Sequence, residues 1–227
     1  MLTPLVRIVD DEALVRDSEA FVIELLGLHV VQYESAEEFL RRDDFERPGC
    51  IVLDINMAGI SGLEMQRILL QKNVNLPIIF VTGHGNVAAA VQAMKYGAAD
   101  FVEKPMEAEK LQASVKKLVN LHLEKCKSEQ YKNICRQKYE SLTDREKYVA
   151  ELLVKGLPAK LLARELGISV ETVKNHKKNI YDKLDVKNAV DVLKILQNAG
   201  VLPEQFDTEN GDMIYRAHLT EKGNETT

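Results

Sequence analysis

Cysteine is scarce in this chain, and long apolar runs are missing from it. The three cysteines are Cys50, Cys126 and Cys135. They include no CxxC pair, so nothing in their spacing indicates a disulfide framework. No apolar run approaches the roughly 20 residues that a membrane-spanning helix needs, and Pro4, Arg7 and Asp10 interrupt the first apolar stretch. We therefore predict no signal peptide, a cytoplasmic protein with reduced thiols, and no membrane partner.

Positive charge is in short supply overall, which argues against a chain that binds nucleic acid along its whole length. The formal net charge is −5. Residues 1–120 carry 12 basic and 18 acidic side chains, whereas residues 121–200 carry 16 basic and 11 acidic ones. The basic surplus is confined to the middle and late parts of the chain, and this asymmetry indicates where a polyanion docks.

Short apolar runs alternate with amphipathic stretches over the first 120 residues. The runs are β-branched or aromatic and bounded by Gly, Pro or Asp, as strands should be. They cover residues 5–9, 29–33, 50–54, 77–81 and 99–103. The predicted apolar faces of the helices between them are Leu14, Phe21, Leu25 and Leu26, then Leu63, Ile68 and Leu69, then Val87, Ala90, Val91 and Met94. This alternation predicts an α/β doubly wound parallel sheet that is covered on both faces.

The second half of the chain is helical by pattern. An apolar stripe predicts a helix from about residue 107 to residue 139, and we interpret residues 123–140 as an exposed helical linker. A coiled-coil dimer seam is the alternative for this stretch. Residues 141–200 are predicted to form a small all-α domain of four helices, and the polar, acidic residues 201–227 a mobile tail.

Several residues in the range 141–200 are of types that mark the ends of helices. Thr143 and Glu146 have the spacing of a capping box before an apolar run. The other predicted end markers are Pro158 at a first helical position, Gly167 at a helix C-terminus, and Ser169 and Asp185 at N-caps.

Polar side chains with complementary chemistry follow the predicted strands. Asp10 and Asp11 follow the first strand, Asp54 ends the third, Thr82 stands at the end of the fourth, and Lys104 follows the fifth. Because the carboxyl ends of parallel strands share one edge of the sheet, we expect these groups to converge. Crowded carboxylates need a cation, and hard oxygen ligands select Mg²⁺. The central carboxylate, Asp54, can then attack phosphorus while Thr82 and Lys104 bind the phosphoryl oxygens.

Each of these residues taken alone is more often a structural cap or loop residue, but the set of five on the correct strands is far more specific. A resemblance to a known family rests on four segments: IVDDE (8–12), IVLDINMAGISGLE (51–64), FVTGHGN (80–86) and GAADFVEKP (97–105). They resemble the receiver domain of two-component response regulators of the FixJ branch. The resemblance covers roughly residues 3–122, and we take residues 1–122 as the domain.

This resemblance implies a flavodoxin-like sheet with strand order 2-1-3-4-5 and a sensor histidine kinase that phosphorylates Asp54. It implies that Mg²⁺ is held by Asp10, Asp11, Asp54 and the backbone carbonyl of Asn56. It also implies that Thr82 and Lys104 contact the phosphoryl group. A movement of Thr82 is coupled in the family to inward rotation of an aromatic ring, which here is Phe101.

One departure from the family pattern is visible. The family usually reads D-x-x-M-P-G, and Ala58 stands where the proline is expected. We expect a looser loop after Asp54 and altered kinetics, since no catalytic group is lost. His84 is interpreted as a solvent-facing loop residue rather than as a metal ligand or general base.

The second half contains the segment LTDREKYVAELLVKGLPAKLLARELGISVETVKNHKKNIYDKLDVKN (142–188). Over nearly its whole length this segment resembles the LuxR-type helix-turn-helix DNA-binding domain. Two predicted helices meet at a short turn that contains Gly167, and the second, about residues 170–184, turns an apolar stripe inward. The candidate DNA contacts on this helix are Thr172, Lys174, Asn175, Lys177 and Lys178. We expect Lys174, Asn175 and Lys178 in the major groove and Thr172 and Lys177 on the phosphates. A solvated basic helix face is the plainer alternative.

Together the resemblances imply a regulator that is phosphorylated on Asp54, binds double-stranded promoter DNA as a homodimer and works with RNA polymerase. It is not expected to be an enzyme. An aspartyl phosphatase is a rival, but such enzymes normally carry a second Asp two residues after the nucleophile, where this chain has Asn56. A regulator that acts through proteins alone, without DNA, is a third possibility.

Overall fold

The computed structural model describes residues 3–83 and 87–202. The predicted loop residue His84 and residues 203–227 of the predicted tail lie outside these ranges. The chain divides into two compact units after Lys127. Within the described ranges, no helix combines the length and the apolar character that crossing a bilayer requires.

A five-stranded parallel sheet forms the centre of the first unit. Its strands are β1 (Leu5–Val9), β2 (His29–Tyr33), β3 (Gly49–Asp54), β4 (Ile78–Thr82) and β5 (Asp100–Glu103). They pair in the order β2-β1-β3-β4-β5, which confirms the predicted fold class. Every residue of β1, β3 and β4 is buried, as expected for strands that are covered on both faces.

Helices cover the two faces of the sheet. They are α1 (Ala13–Glu24), α2 (Ala36–Arg42), α3 (Gly62–Gln71), α4 (Val87–Lys95) and α5 (Ala108–Glu140). On one face, Ile23 of α1 and Leu111 of α5 pack in a common core with β-strand residues. On the other face, Phe39, Met65 and Ala93 bring α2, α3 and α4 into a second core. The carboxyl edge of the sheet is thereby held rigidly from both sides.

The apolar face predicted for α1 is wrong for three of its four members. Leu14, Phe21 and Leu25 are exposed to 86%, 64% and 66%, whereas Leu26 packs against the core. The buried residues are Glu19, Ala20 and Ile23. Apolar residues surround much of this helix, so periodicity alone does not select a face, and packing against the sheet decides.

The faces predicted for α3 and α4 have different outcomes. In α3, Leu69 is buried and Leu63 packs against the same core, as predicted. In α4, Val91 and Met94 are half exposed, and Ala93 is buried. The prediction is therefore wrong for Val91 and Met94, because this alanine-rich helix approaches the sheet through a small side chain. The predicted side chain of Val87 lies outside the described ones.

The second unit contains the end of α5 and the helices that follow it. They are α6 (Asp144–Leu153), α7 (Ala159–Leu166), α8 (Val170–Leu184) and α9 (Ala189–Asn198), which confirms the four predicted helices. Thr143 and Glu146 form the predicted capping box at the start of α6. Gly167 ends α7 with a φ of 65°, and Ser169 caps α8 through the Thr172 N–H. The two helices of the helix-turn-helix thus meet at a left-handed glycine.

Three local predictions in this unit are wrong. Asp185 ends α8 in a left-handed conformation with a φ of 56°, which Asp tolerates. The N-cap of α9 is instead Asn188, whose side chain accepts a hydrogen bond from the Asp191 N–H. Pro158 is the N-cap of α7 rather than its first residue. Cys135, which the sequence places on an exposed linker, is fully buried in the core of the second unit.

A buried ion pair fastens β1 to the chain that precedes β3. Arg7 is fully buried, and its Nε donates to the two carboxylate oxygens of Asp43 at 2.9 and 3.0 Å. The Tyr33 hydroxyl donates to the same carboxylate at 2.6 Å. The remaining guanidinium nitrogens donate to the carbonyl groups of Leu5, Asp44 and Arg47. Because its hydrogen bonds are satisfied, this charge is tolerated in the interior.

Replacing Asp43 with Ala would leave the buried Arg7 charge without its opposite charge. We expect Asp43→Ala to lower the free energy of unfolding by about 3–5 kcal/mol, measured by urea denaturation. Asp44→Ala is the control: it keeps the backbone carbonyl that Arg7 uses and should cost less than about 1 kcal/mol. Equal losses for the two variants would contradict a special role for the buried pair.

Candidate functional site

The predicted site residues meet at the carboxyl edge of the sheet. Asp10 follows β1, Asp54 ends β3, Thr82 ends β4, and Lys104 follows β5. These four strands are neighbours in the sheet, so their ends lie side by side. Asp10, Asp54 and Thr82 are 1%, 6% and 1% exposed. The edge therefore holds two buried carboxyl groups next to a buried hydroxyl.

One ammonium group joins the two buried carboxylates. Lys104 Nζ donates to Asp10 Oδ2 and to Asp54 Oδ1, both at 2.7 Å. Burial works to lower the pKa of Lys104, but the hydrogen bonds and negative charges of Asp10 and Asp54 outweigh it and raise that pKa above its ordinary value. The lysine is therefore a permanent cation, and it offsets the repulsion between the two carboxylates.

Backbone N–H groups hold the other carboxylate oxygens. The Glu12 N–H donates to Asp10 Oδ1 at 2.7 Å, and the Asn56 N–H donates to Asp54 Oδ2 at 2.6 Å. Asp11 is exposed and takes a 2.9 Å hydrogen bond from the Ala58 N–H. Each acidic side chain is thus oriented by the loop that follows its own strand or a neighbouring one.

The oxygen ligands at this edge are of the chemical type that Mg²⁺ prefers. Three carboxylates and the backbone carbonyl of Asn56 are hard oxygen ligands of the type that Mg²⁺ takes. The ammonium of Lys104 stands between Asp10 and Asp54 as a cation that both carboxylates already bind. Among the described residues, however, no three acidic, histidine or cysteine side chains are grouped closely enough to bind a metal as they stand. The residues that would hold Mg²⁺ are therefore present at one edge of the sheet, where two of their carboxylates bind Lys104 instead.

Thr82 and Phe101, the two predicted switch residues, lie on the neighbouring strands β4 and β5. The Thr82 hydroxyl is buried, and its hydrogen bond to the Gly83 carbonyl is long, at 3.4 Å. Phe101 is half-buried on β5 and lines an open cleft of about 580 Å³. The half-exposed side chains of Val91 and Met94 line the same cleft. The weakly bonded Thr82 hydroxyl and the accessible Phe101 ring thus lie on neighbouring strands.

Glu19 is a residue of this region that the sequence analysis missed. It lies on α1, is 1% exposed, and its Oε1 has no hydrogen-bond partner among the residues that the structure describes. Burial, followed by the negative charge of Asp10, raises the pKa of Glu19 from its ordinary 4.5 to about 8, against an opposing effect of Lys104. At neutral pH this carboxyl group is therefore largely protonated. The only signal in the sequence is an acidic residue beside an apolar stretch.

The raised pKa of Glu19 makes a prediction about stability and pH. Between pH 4.5 and about 8 the folded protein keeps a proton that the unfolded chain releases, so this group's contribution to stability falls as pH rises through that window. Glu19→Gln cannot ionise, and we expect it to gain about 3–4 kcal/mol on the wild type between pH 5 and pH 8, at about 1.4 kcal/mol for each pH unit of that window. Urea denaturation in the presence of a chelator measures this difference. A stability difference between variant and wild type that does not change with pH would contradict it.

In the second unit, α8 presents one apolar and one polar face. Val173, Ile180 and Leu184 are buried in the core of the unit. The exposed residues include four of the five predicted DNA contacts, Lys174, Asn175, Lys177 and Lys178, while Thr172 is half-buried beside Ser169. A helix that is fixed by its apolar stripe and carries lysine and asparagine outward has the form of a recognition helix.

The lysines of α8 differ in their surroundings. Lys174 forms an exposed ion pair with Glu171 at 3.2 Å, and the Lys177 ammonium lies 5.4 Å from the centre of the Tyr181 ring. Lys178 enters no ion pair with another residue of the described ranges. An exposed pair such as Lys174–Glu171 is weak, so Lys174 can leave Glu171 and bind a phosphate instead. Lys178 can bind a phosphate without first breaking an ion pair.

Comparisons with known proteins agree with the two kinds of domain. Residues 6–116 match the response regulator receiver domain, and residues 140–196 match the luxR family of bacterial regulatory proteins. The transcriptional regulatory protein FixJ of Azorhizobium caulinodans is 38% identical over 198 residues, which span 87% of this chain and 94% of FixJ. The solved structure of the response regulator StyR aligns with a TM-score of 0.79 at 35% identity, over 86% of this chain and 98% of StyR. Full-length FixJ from B. japonicum aligns with a TM-score of 0.54 at 33% identity, over 89% and 100% of the two chains.

A parallel receiver sheet followed by a helix-turn-helix unit defines a two-component response regulator. With these similarities, the chain belongs to the family of FixJ-like transcription regulators, which join a receiver domain to a LuxR-type DNA-binding domain. The resemblance predicted from the sequence is confirmed.

Proposed function

We propose that this regulator is activated by phosphorylation of Asp54 and then binds promoter DNA as a homodimer in the cytosol. The observation that carries the proposal is the contact of Lys104 with the carboxylates of both Asp10 and Asp54. A carboxylate that is buried beside a cation and further acidic groups suits a phosphoacceptor. The phosphoryl donor is a sensor histidine kinase.

Asp54 is the nucleophile in this proposal. The Asn56 N–H holds Oδ2, so Oδ1 is the oxygen that attacks phosphorus. As the new O–P bond forms, the bond between phosphorus and the histidine nitrogen of the kinase breaks, and its electron pair returns to the imidazole. Lys104 already touches Oδ1 and can move its hydrogen bond to an incoming phosphoryl oxygen.

The acidic residues at the sheet edge would hold the metal that this transfer needs. Asp10, Asp11, Asp54 and the carbonyl group of Asn56 are the proposed ligands. Bound Mg²⁺ supplies neutralisation of the charge on the carboxylates and on the phosphoryl oxygens. Asp10, which now contacts Lys104, would be one of these ligands, and Lys104 would then be available to the phosphoryl group.

Thr82 and Phe101 are proposed to transmit the new charge. The long hydrogen bond of the Thr82 hydroxyl is easily replaced by a stronger one to an anionic phosphoryl oxygen. Movement of Thr82 opens space into which the ring of Phe101 can turn. The half-exposed apolar residues Val91 and Met94 then offer a changed surface to a second copy of the chain.

Dimerisation explains how few lysines suffice for promoter binding. A single recognition helix makes only a few phosphate contacts, which bind weakly at cellular salt concentrations. Two linked domains that bind half-sites about one helical turn apart gain affinity through effective concentration. In this proposal Thr172 and Lys177 hold the phosphates, Lys174, Asn175 and Lys178 address the bases, and RNA polymerase is the partner at the promoter.

Substitution of Asp54 tests the phosphoacceptor directly. We expect Asp54→Asn to take up no phosphate from a small phosphodonor in the presence of Mg²⁺, because the amide is not a nucleophile. Intact-protein mass spectrometry measures the added phosphoryl group. Asp17→Asn is the matched control, since it removes an exposed carboxylate of the same type and should be phosphorylated as the wild type is. Undiminished phosphorylation of Asp54→Asn would contradict the assignment.

Removal of one lysine from α8 tests the DNA-binding face. We expect Lys178→Ala to weaken operator binding about tenfold, and to lower the slope of log affinity against log salt by about 1 for each protomer that contacts DNA. Fluorescence anisotropy over a salt titration measures both quantities. Lys72→Ala removes the same charge from an exposed position in the first unit and should leave both unchanged. An equal loss in the two variants would indicate a nonspecific charge effect and would refute the assignment of α8.

The rival functions make different predictions. An aspartyl phosphatase would turn over small phosphoesters, but the general-acid position two residues after Asp54 holds Asn56. A regulator that acts only through proteins would show no sequence-specific DNA binding at any salt concentration. The exposed lysine and asparagine face of α8 favours the DNA-binding function.

A further inference from the structure

The one departure from the family pattern near the phosphoacceptor creates a hydrogen bond. Ala58 stands where the family usually has proline. Its backbone N–H donates to Asp11 Oδ2 at 2.9 Å. A proline at this position has no N–H and could not make this contact. The bond therefore exists because of the substitution, and it ends on a proposed metal ligand.

This hydrogen bond links the two loops that carry the proposed metal ligands. Asp11 lies in the loop between β1 and α1, and Asn56 lies two residues before Ala58 in the loop between β3 and α3. The two loops are 47 residues apart in the chain. Fixing them to each other before the metal binds reduces the freedom that binding must otherwise remove.

The same loop is also held from its other side. Glu37 of α2 accepts a hydrogen bond from the Ile60 N–H at 2.9 Å. A side chain added at Gly59 would place its Cβ 2.5 Å from Glu37 Oε1, so the carboxylate lies directly against the loop. Asp11 and Glu37 thus hold residues 58–60 between them. The loop is therefore held by two side chains of neighbouring elements, one of which uses the N–H of Ala58.

We propose that Ala58 is a positioning residue whose N–H fixes the Asp11 carboxylate and thereby strengthens Mg²⁺ binding. The inference rests on the proposed function, because it concerns the same metal site. Asp11 has a second oxygen, Oδ1, for the metal while Oδ2 keeps the hydrogen bond. The N–H acts through Asp11 and touches neither the phosphoryl group nor the metal.

Removal of this single N–H tests the proposal. Incorporating lactic acid in place of Ala58 by nonsense suppression exchanges the N–H for an ester oxygen and changes little else. We expect the full-length ester protein to bind Mg²⁺ about three to ten times more weakly than the wild type, which is the net effect of one exposed hydrogen bond. Isothermal titration calorimetry with MgCl₂ measures the dissociation constant. An ester protein that binds Mg²⁺ as tightly as the wild type overturns the proposal.

Two further variants serve as controls for this result. Ala58→Pro restores the family residue and should also weaken Mg²⁺ binding. Ala58→Ser keeps the N–H and should restore the wild-type dissociation constant, which a merely steric role of residue 58 would not predict. A serine variant as weak as the proline variant would also refute the role of the N–H.

The metal site itself has a separate control. Asp11→Asn and Asp54→Asn together should abolish the calorimetric signal for Mg²⁺. If the wild type gives no signal, or if the double variant keeps it, the proposed metal site fails and this inference fails with it. If the wild type binds Mg²⁺, the double variant does not, and the ester is without effect, only the role of Ala58 is lost.

Discussion

The ammonium group of Lys104 is the interaction on which the receiver site depends. It bonds at 2.7 Å to two carboxylates that are almost fully buried, and it supplies the opposite charge that such burial requires. The sheet order makes the contact possible, because it places the ends of β1, β3 and β5 within reach of one long side chain. A phosphoryl group that entered this arrangement would meet a cation already in position.

The charge balance of the site also explains why phosphorylation would be a sensitive trigger. Asp10 and Asp54 share one lysine, while Glu19 nearby avoids a further negative charge by holding its proton, with its pKa raised to about 8. A newly added anion disturbs this balance and attracts the donors closest to it, among them the Thr82 hydroxyl. Phe101 lies two positions before the end of β5 and lines the open cleft beside α4. A movement of Thr82 on the neighbouring strand would therefore be transmitted to an accessible surface.

The sequence was sufficient to predict the sheet and the convergence of its polar ends, because both follow from short apolar runs that end at residues such as Asp54. The faces of the covering helices could not be predicted in the same way. Phe21 is exposed and Glu19 is buried although periodicity indicates the reverse, since the sheet, not the helix, selects the face. The burial of Cys135 depends on the helices of the second unit, against which Tyr139, one turn further on, also packs. Neither contact leaves a local pattern in the chain.

The most direct test of the account measures whether the anion at Asp54 controls DNA binding. Operator affinity can be titrated with the wild type and with Asp54→Ala, each with and without beryllofluoride and Mg²⁺, by fluorescence anisotropy. The account predicts that beryllofluoride raises the affinity of the wild type and leaves that of Asp54→Ala unchanged. An equal affinity of the wild type in both conditions would show that the receiver site does not control the DNA-binding unit, and it would contradict the central claim.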